Sequence, residues 1–207
     1  MVAATRKVDD DHWINRFCED VLIKSGRADE AYHRYGLRAA TGSTYLAVYR
    51  ETVKRYPERD RRQVLLDLIE TRGDRGKWFA AAKDAGFLEV ALVCALDYTA
   101  EPATLVRAAR DFAAKEPKFA AEIGMVALVR LLSGSGYDPE VSLVQEALGH
   151  LLDAASHIGV RNWAMEQVQA LVDGPCHVSR KHLQRFLAQC LVDCGEESVE
   201  DLPTKRK

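Results

Sequence analysis

The sequence predicts an all-α fold, and three observations lead to this prediction. Apolar residues recur with the spacing of a helix face along most of the 207-residue chain. No stretch alternates convincingly between apolar and polar side chains, and no Asn-Gly pair indicates a β-hairpin. Glycines, prolines and capping residues divide the chain into about eleven short helical segments.

The helices predicted in the first half begin at capping residues and end at turns. Asp10 and Asp11 cap the first helix, and Gly26 ends it. One face of this helix is predicted to carry Ile14, Phe17, Cys18, Val21 and Leu22. Gly42-Ser43-Thr44 caps a later helix. The remaining helical segments of this half run through Asp29–Tyr35, Tyr45–Val53, Asp60–Ile69, Trp78–Ala82 and Phe87–Leu96.

Proline marks helix starts in the second half. Glu101-Pro102 and Glu116-Pro117 place it in a first turn, where the missing N–H costs no hydrogen bond. Ser133-Gly134-Ser135-Gly136 is the clearest loop, and Asp138-Pro139-Glu140 begins a long helix after it. Ser179 caps the last helix, which Gly195 ends. These boundaries predict one helical domain over residues 10–195, with flexible ends at 1–9 and 196–207.

Composition and charge exclude several classes of protein. Residues are 47% hydrophobic and 29% charged with a net charge of -2, which excludes a wholly disordered chain. No apolar run approaches the roughly 18 residues that cross a bilayer. The first residues lack the apolar core of a signal peptide, and the five cysteines are scattered and odd in number, so we expect a cytoplasmic protein. The near-neutral charge makes nucleic acid an unfavourable partner.

One helix–turn–helix segment, Leu22–Tyr35, carries the only specific resemblance in the chain. Gly26 accepts the left-handed conformation that ends a helix, and Ala31 lets two helices approach closely. This segment resembles the turn between the two helices of a tetratricopeptide (TPR) unit. The spacing from glycine to alanine recurs at Gly86 and Gly159, whereas Glu116-Pro117 takes the same place with proline.

The TPR resemblance is partial. The three glycines are unevenly spaced, and the strict period of about 34 residues is absent. The rest of the chain resembles divergent helical repeats of uncharacterised bacterial proteins. The resemblance implies antiparallel helix pairs stacked as a short right-handed α-α superhelix, a TPR-like solenoid. The alternative is a compact irregular helical bundle.

The resemblance also implies which side chains line a concave groove. Carried over from the turn at Gly26, these positions are Trp13, Arg16, Asp20 and Lys24, an aromatic anchor with charged neighbours that suits a peptide. Carried over from the turn at Gly159, they are Glu146, Asp153 and His157. The alternative is that Trp13 packs the end of the fold and that the charged side chains are merely solvated.

Two groups of residues have metal-ligand chemistry, and we interpret neither as a metal site. Glu146, His150, Asp153 and His157 share one stripe of a helix, but the apolar residues lie opposite, so the stripe is predicted to face water. The second group adjoins apolar residues, where cysteine acts as a small hydrophobic side chain. It comprises Cys176, His177, His182, Cys190 and Cys194. We expect no cofactor.

Catalytic motifs are absent from the sequence. There is no Gly-x-Ser-x-Gly elbow and no glycine-rich phosphate loop ending in Lys-Ser/Thr. We therefore predict a protein that is not an enzyme, a protein–protein interaction module or scaffold of the helical-repeat type. The alternative function is binding of single-stranded RNA or another nucleic acid through the helical surface. A homo-oligomer is a further alternative.

Overall fold

The computed structural model describes the backbone of residues 2–133 and 141–200, and the side chains of residues 12–133 and 141–194. Every regular element in these ranges is a helix and none is a strand, which confirms the all-α prediction. No helix in the described ranges has the length and apolar character needed to span a membrane.

The chain divides into two compact units, Met1–Cys94 and Ala95–Lys207. The single domain over 10–195 and the limits of its two ends remain a prediction. In the first unit the helices are α1 (Val2–Lys24), α2 (Ala28–Ala31), a π-helical segment (Tyr32–Gly36), α3 (Leu37–Ala39), α4 (Tyr45–Arg55), α5 (Arg61–Arg72), a 3₁₀ turn (Arg75–Trp78), α6 (Phe79–Asp84) and α7 (Leu88–Ala95).

Two caps in the first unit show why these helices start where they do. Thr44 accepts a hydrogen bond from the amide of Ala47 at 3.1 Å, as its predicted cap role requires. Asp60 accepts one from the amide of Gln63 at 2.7 Å and so begins α5. The first helix differs from its prediction, because α1 begins at Val2 and continues through the expected cap at Asp10 and Asp11.

The second unit contains the longer helices. They are α8 (Pro102–Phe112), α9 (Pro117–Leu132), α10 (Val141–His157), α11 (Arg161–Asp173), a 3₁₀ turn (Val178–Arg180) and α12 (Lys181–Glu200). Both prolines stand in a first turn, as predicted. Ser179 lies inside the 3₁₀ turn, so its predicted role as the cap of the last helix is wrong. The glycine-rich part of the predicted loop and the helix start at Asp138-Pro139-Glu140 lie outside the described residues.

Each unit has its own apolar core. In the first unit the largest fully buried side chains include Trp78, Phe79, Leu65 and Leu68. In the second unit, α8, α9 and α10 pack against one another, and they enclose Leu105, Ile123, Leu128, Leu131, Leu148 and Leu151. Gly124 allows a close approach, since a Cβ there would lie 3.0 Å from the Cβ of Leu151.

Three turns have the same local structure at the positions that the sequence indicated. In each, a left-handed glycine donates to the carbonyl three residues earlier at 3.0–3.1 Å, and the next amide donates to the carbonyl five residues earlier at 2.9–3.0 Å. The alanine five residues after the glycine is fully buried each time. The glycines are Gly26, Gly86 and Gly159, with φ of 75°, 85° and 72°. The predicted glycine conformation and alanine burial are therefore confirmed.

Candidate functional site

Helix α1 exposes an apolar face, which we call the α1 stripe and define by Trp13, Ile14, Phe17 and Val21. Their exposed fractions are 68%, 50%, 57% and 47%. The predicted apolar face of this helix therefore lies towards solvent at Ile14, Phe17 and Val21. Cys18 and Leu22, on the edge of the same helix, are only half-buried.

The α1 stripe is continuous along the helix. At about 100° per residue its four side chains fall within an arc of about 100°, and they extend over about 12 Å, or two turns. The rings of Trp13 and Phe17 stack with centroids 5.8 Å apart and planes at 13°. Lys24 is exposed within the same arc, one turn beyond Val21. The stripe therefore presents a rigid aromatic pair with a cation at one end.

The opposite face of α1 buries a carboxylate. Glu19 has no exposed surface, yet it lies among polar partners contributed by α1 itself and by the end of α4. Arg16 donates from Nη1 to its Oε2 at 2.8 Å. The hydroxyl of Tyr56 donates to its Oε1 at 2.6 Å, and Nε of Arg55 lies 2.9 Å from the same oxygen. Such partners offset the desolvation that a buried carboxylate suffers.

Two of the residues predicted to line a groove belong to this ion-pair network. Arg16 also donates to the carbonyl of Ala39 at 2.9 Å and pairs with Glu51. Asp20 pairs with Arg55. The structure thus brings Arg16 and Asp20 into contacts that tie α1 to α3 and α4, whereas Trp13 and Lys24 project into solvent. A role in binding stays a prediction for all four residues.

Tyr56 is held against the backbone of the π-helical segment. A Cβ on Gly36 would lie 2.5 Å from the hydroxyl oxygen of Tyr56 and 2.8 Å from its ring, so only glycine leaves room for it. Burial, followed by the hydrogen bond to Glu19, raises the pKa of Tyr56 above its ordinary value. The phenol therefore keeps its proton and remains the donor in this contact.

A second buried tyrosine repeats this arrangement on the neighbouring helices. The hydroxyl of Tyr32 donates to Asp67 at 2.6 Å, and the guanidinium of Arg59 lies 3.9 Å from the centre of its ring. The rings of Tyr32 and Tyr56 meet edge to face at 5.0 Å. Burial and the contact with Asp67 raise the pKa of Tyr32. Tyr32 thus packs against Tyr56, which in turn contacts Glu19 on the inward side of α1.

The groove residues predicted in the second unit lie on the exposed side of α10. Glu146, Asp153 and His157 are all exposed, and Leu148 and Leu152 are buried on the other side. Nδ1 of His157 lies 2.9 Å from the carbonyl oxygen of Asp153. This agrees with the expectation that the stripe faces water, and a role in binding remains a prediction.

The candidate metal ligands do not assemble in the part of the chain that is described. No three histidine, cysteine or acidic side chains there come together in a geometry suited to a metal ion. His177 instead contacts the hydroxyl of Ser179 at 2.7 Å, and Cys190 is a free thiol whose pKa is raised by burial.

Sequence reasoning proposed Trp13 as a binding residue, but it did not recognise Ile14, Phe17 and Val21 as part of the same exposed surface. The signal it used, a run of apolar residues at helical spacing, identifies a face without saying whether that face turns inward. The side chains of the stripe carry no ionisable group, so this surface provides apolar contact area. No protein-family model, no curated protein and no solved structure matches the chain.

Proposed function

We propose that this chain is a non-catalytic protein–protein interaction module of the helical-repeat type. One observation supports the proposal above the others. Helix α1 directs its ion pairs inward and its apolar residues outward, the reverse of an ordinary surface helix. Contiguous exposed apolar residues next to polar ones are typical of a surface that another protein covers.

The partner that suits the α1 stripe is an amphipathic helix of another protein. The stripe is about two helical turns long, which matches the apolar residues that one packed helix presents at i, i+3 or i+4, and i+7. Trp13 and Phe17 supply the large rigid side chains that dominate such contacts. Lys24 at the end of the stripe favours an acidic residue at the corresponding end of the partner.

The size of the stripe also favours a single helix as the partner. Full burial of a large apolar side chain is worth about 1.5–3 kcal/mol, and each of these is already partly buried, so completing their burial contributes about 1 kcal/mol each. A total of about 4 kcal/mol before entropic costs fits a compact contact with one helix. An obligate interface buries a much larger apolar surface.

We extend the proposal to the fold and the compartment. A TPR-like solenoid of antiparallel helix pairs is supported by the three turns that share a left-handed glycine, the same hydrogen bonds and a buried alanine. Helix α1 packs against α2 and the π-helical segment, and α10 packs against α11, as helix pairs of such a fold do. The odd, scattered cysteines support the cytoplasm as the compartment.

The test is affinity capture from native cell lysate with two matched variants. In the stripe variant, Trp13→Asp is combined with Phe17→Asp. In the control variant, Trp163→Asp is combined with Val178→Asp, because these residues are 55% and 78% exposed in the second unit. Circular dichroism checks that both variants keep their helix content.

The proposal requires a protein that the wild type and the control retain and that the stripe variant loses. Quantitative mass spectrometry of the eluates measures this difference. Equal capture by all three proteins would contradict the proposal. RNA that is captured at low salt and released at high salt would support the alternative function instead.

A further inference from the structure

A groove in the first unit carries an unneutralised positive charge. It lies among α4, α5 and the turn that precedes α7, and has a volume of about 670 Å³. We call it the basic groove and define it by the exposed cations Arg50, Lys54 and Arg61 together with the apolar residues Val53, Pro57 and Phe87. Its lining contains no carboxylate.

The three cations of the basic groove have no ion-pair partner among the described residues, in contrast to six arginines of the same unit. Arg50, Lys54 and Arg61 form no ion pair or side-chain hydrogen bond with any described residue. Other arginines of the unit have carboxylate partners, namely Arg16, Arg27, Arg34, Arg55, Arg59 and Arg62. The nearby carboxylate Asp60 is occupied as the cap of α5.

The three cations lie close together, so their positive charges repel one another and destabilise the unoccupied groove. Arg50 and Lys54 stand four residues apart on α4, so their like charges repel each other on one helix face. Arg61 adds a third positive charge at the start of α5, where the positive end of the helix dipole adds to it. A bound carboxylate relieves this repulsion, which gives the groove a reason to select acidic ligands.

The floor of the groove distinguishes a peptide from a nucleic acid. Tyr49 is only 6% exposed, and its ring meets Phe87 edge to face, with centroids 6.5 Å apart and planes at 89°. Because Tyr49 is buried, its ring offers no exposed face on which a base can stack, and such stacking is a main contribution to the binding of single-stranded nucleic acid. Val53 and Pro57 provide aliphatic contact instead.

We propose that the basic groove binds an acidic peptide segment of a partner protein. Carboxylates of the peptide pair with Arg50, Lys54 and Arg61, and an apolar side chain between them packs on Val53, Pro57 and Phe87. This site is chemically different from the α1 stripe, which selects an apolar helix. The two proposals therefore stand or fall separately.

The experiment is fluorescence anisotropy with the full chain and a fluorescein-labelled peptide that alternates glutamate and leucine. We expect saturable binding at low salt that weakens as salt is added, because exposed charges carry it. The same peptide with glutamine in place of glutamate is expected to bind at least about tenfold more weakly. A labelled uridine oligonucleotide serves as the rival ligand.

Charge-reversal variants locate the site. Arg50→Glu combined with Lys54→Glu is expected to weaken binding of the acidic peptide at least about tenfold. Arg38→Glu combined with Arg75→Glu reverses two exposed arginines outside the groove. This control has the same change in net charge and is expected to weaken binding less than about twofold. Two measurements check that the groove variant is folded. Circular dichroism compares its helix content with that of the wild type, and affinity capture through the α1 stripe should be retained if the stripe binds a partner as proposed.

Several outcomes would overturn the proposal. They are the absence of saturable binding of the acidic peptide, equal binding of the glutamine peptide, tighter binding of the uridine oligonucleotide, and an equal loss in the control that combines Arg38→Glu with Arg75→Glu. Failure of the stripe experiment alone leaves the groove intact, because no stripe residue lines it.

Discussion

Replacing Glu19 by alanine is expected to lower the free energy of unfolding by about 3 kcal/mol. The Glu19 carboxylate is fully buried and accepts from Arg16 and Tyr56, and it forms an ion pair with Arg55. Alanine removes the only fully buried carboxylate of this ion-pair network. The buried hydroxyl of Tyr56 would then lose its acceptor, and Arg16 and Arg55 would each lose one partner.

The expected loss of stability depends on which contacts the partners of Glu19 retain after the substitution. Removing one partner of a buried ion pair costs about 3–5 kcal/mol. Arg16 keeps its contact with Glu51, and Arg55 keeps its contact with Asp20, so the cost falls at the lower end. The buried hydroxyl of Tyr56 has no other acceptor among the described residues and contributes about 1–3 kcal/mol of that cost.

Urea unfolding followed by circular dichroism measures the effect. Glu19→Gln is expected to lose less than Glu19→Ala, since the amide oxygen still accepts a hydrogen bond although the charge is gone. Glu70→Ala removes an exposed carboxylate of α5 and is expected to change the free energy of unfolding by no more than about 0.5 kcal/mol. If Glu19→Ala proved as mild as Glu70→Ala, the inward ion-pair network would not hold α1.

Two further predictions concern the tyrosines and the glycines beside them. Gly36→Ala forces a Cβ into the space of Tyr56 and is expected to destabilise the protein by about 1–3 kcal/mol. The Cβ of Gly149→Ala meets no atom within 4 Å, so this variant is expected to stabilise the protein by up to about 1 kcal/mol. Thermal unfolding compares the two variants, and an unchanged stability of Gly36→Ala would contradict the close contact with Tyr56. Because the pKa values of Tyr32 and Tyr56 are raised on folding, the unfolded chain releases these protons first, so stability present below about pH 10 is lost as the pH rises further. Tyr32→Phe and Tyr56→Phe are each expected to flatten this alkaline loss in urea titrations at several pH values, and an unchanged slope would refute it.

Local features were predictable because neighbouring residues decide them. The glycine at position 26 ends α1 in the left-handed conformation, and Ala31 is buried five residues later, as the turn pattern indicated. Thr44 caps α4, and Pro102 and Pro117 stand in first turns. Each of these outcomes depends on hydrogen bonds within a few residues, which the sequence contains in full.

The orientation of α1 was not predictable in the same way. Its apolar residues indicated a face with Ile14, Phe17 and Val21 but not its direction, and the other side of the helix faces inward. The partners that hold it there, Arg55 and Tyr56, follow Glu19 at a distance of more than 30 residues. The sequence of α1 does not reveal these distant partners, nor does it reveal that Gly36 makes room for Tyr56.

The sequence by itself determined that this protein is helical, where most of its helices begin and end, and how three of its turns are built. These features depend on the spacing of apolar residues and on the conformational limits of glycine and proline, which act over a few residues. Only the tertiary structure decided which face of α1 meets solvent and which cations lack a partner. Those outcomes depend on whether distant side chains can neutralise one another's charge in a shared interior. Distant side chains neutralise the charge of Glu19, which is therefore buried. No such partner among the described residues neutralises Arg50 and Lys54, and their charges stay at the surface.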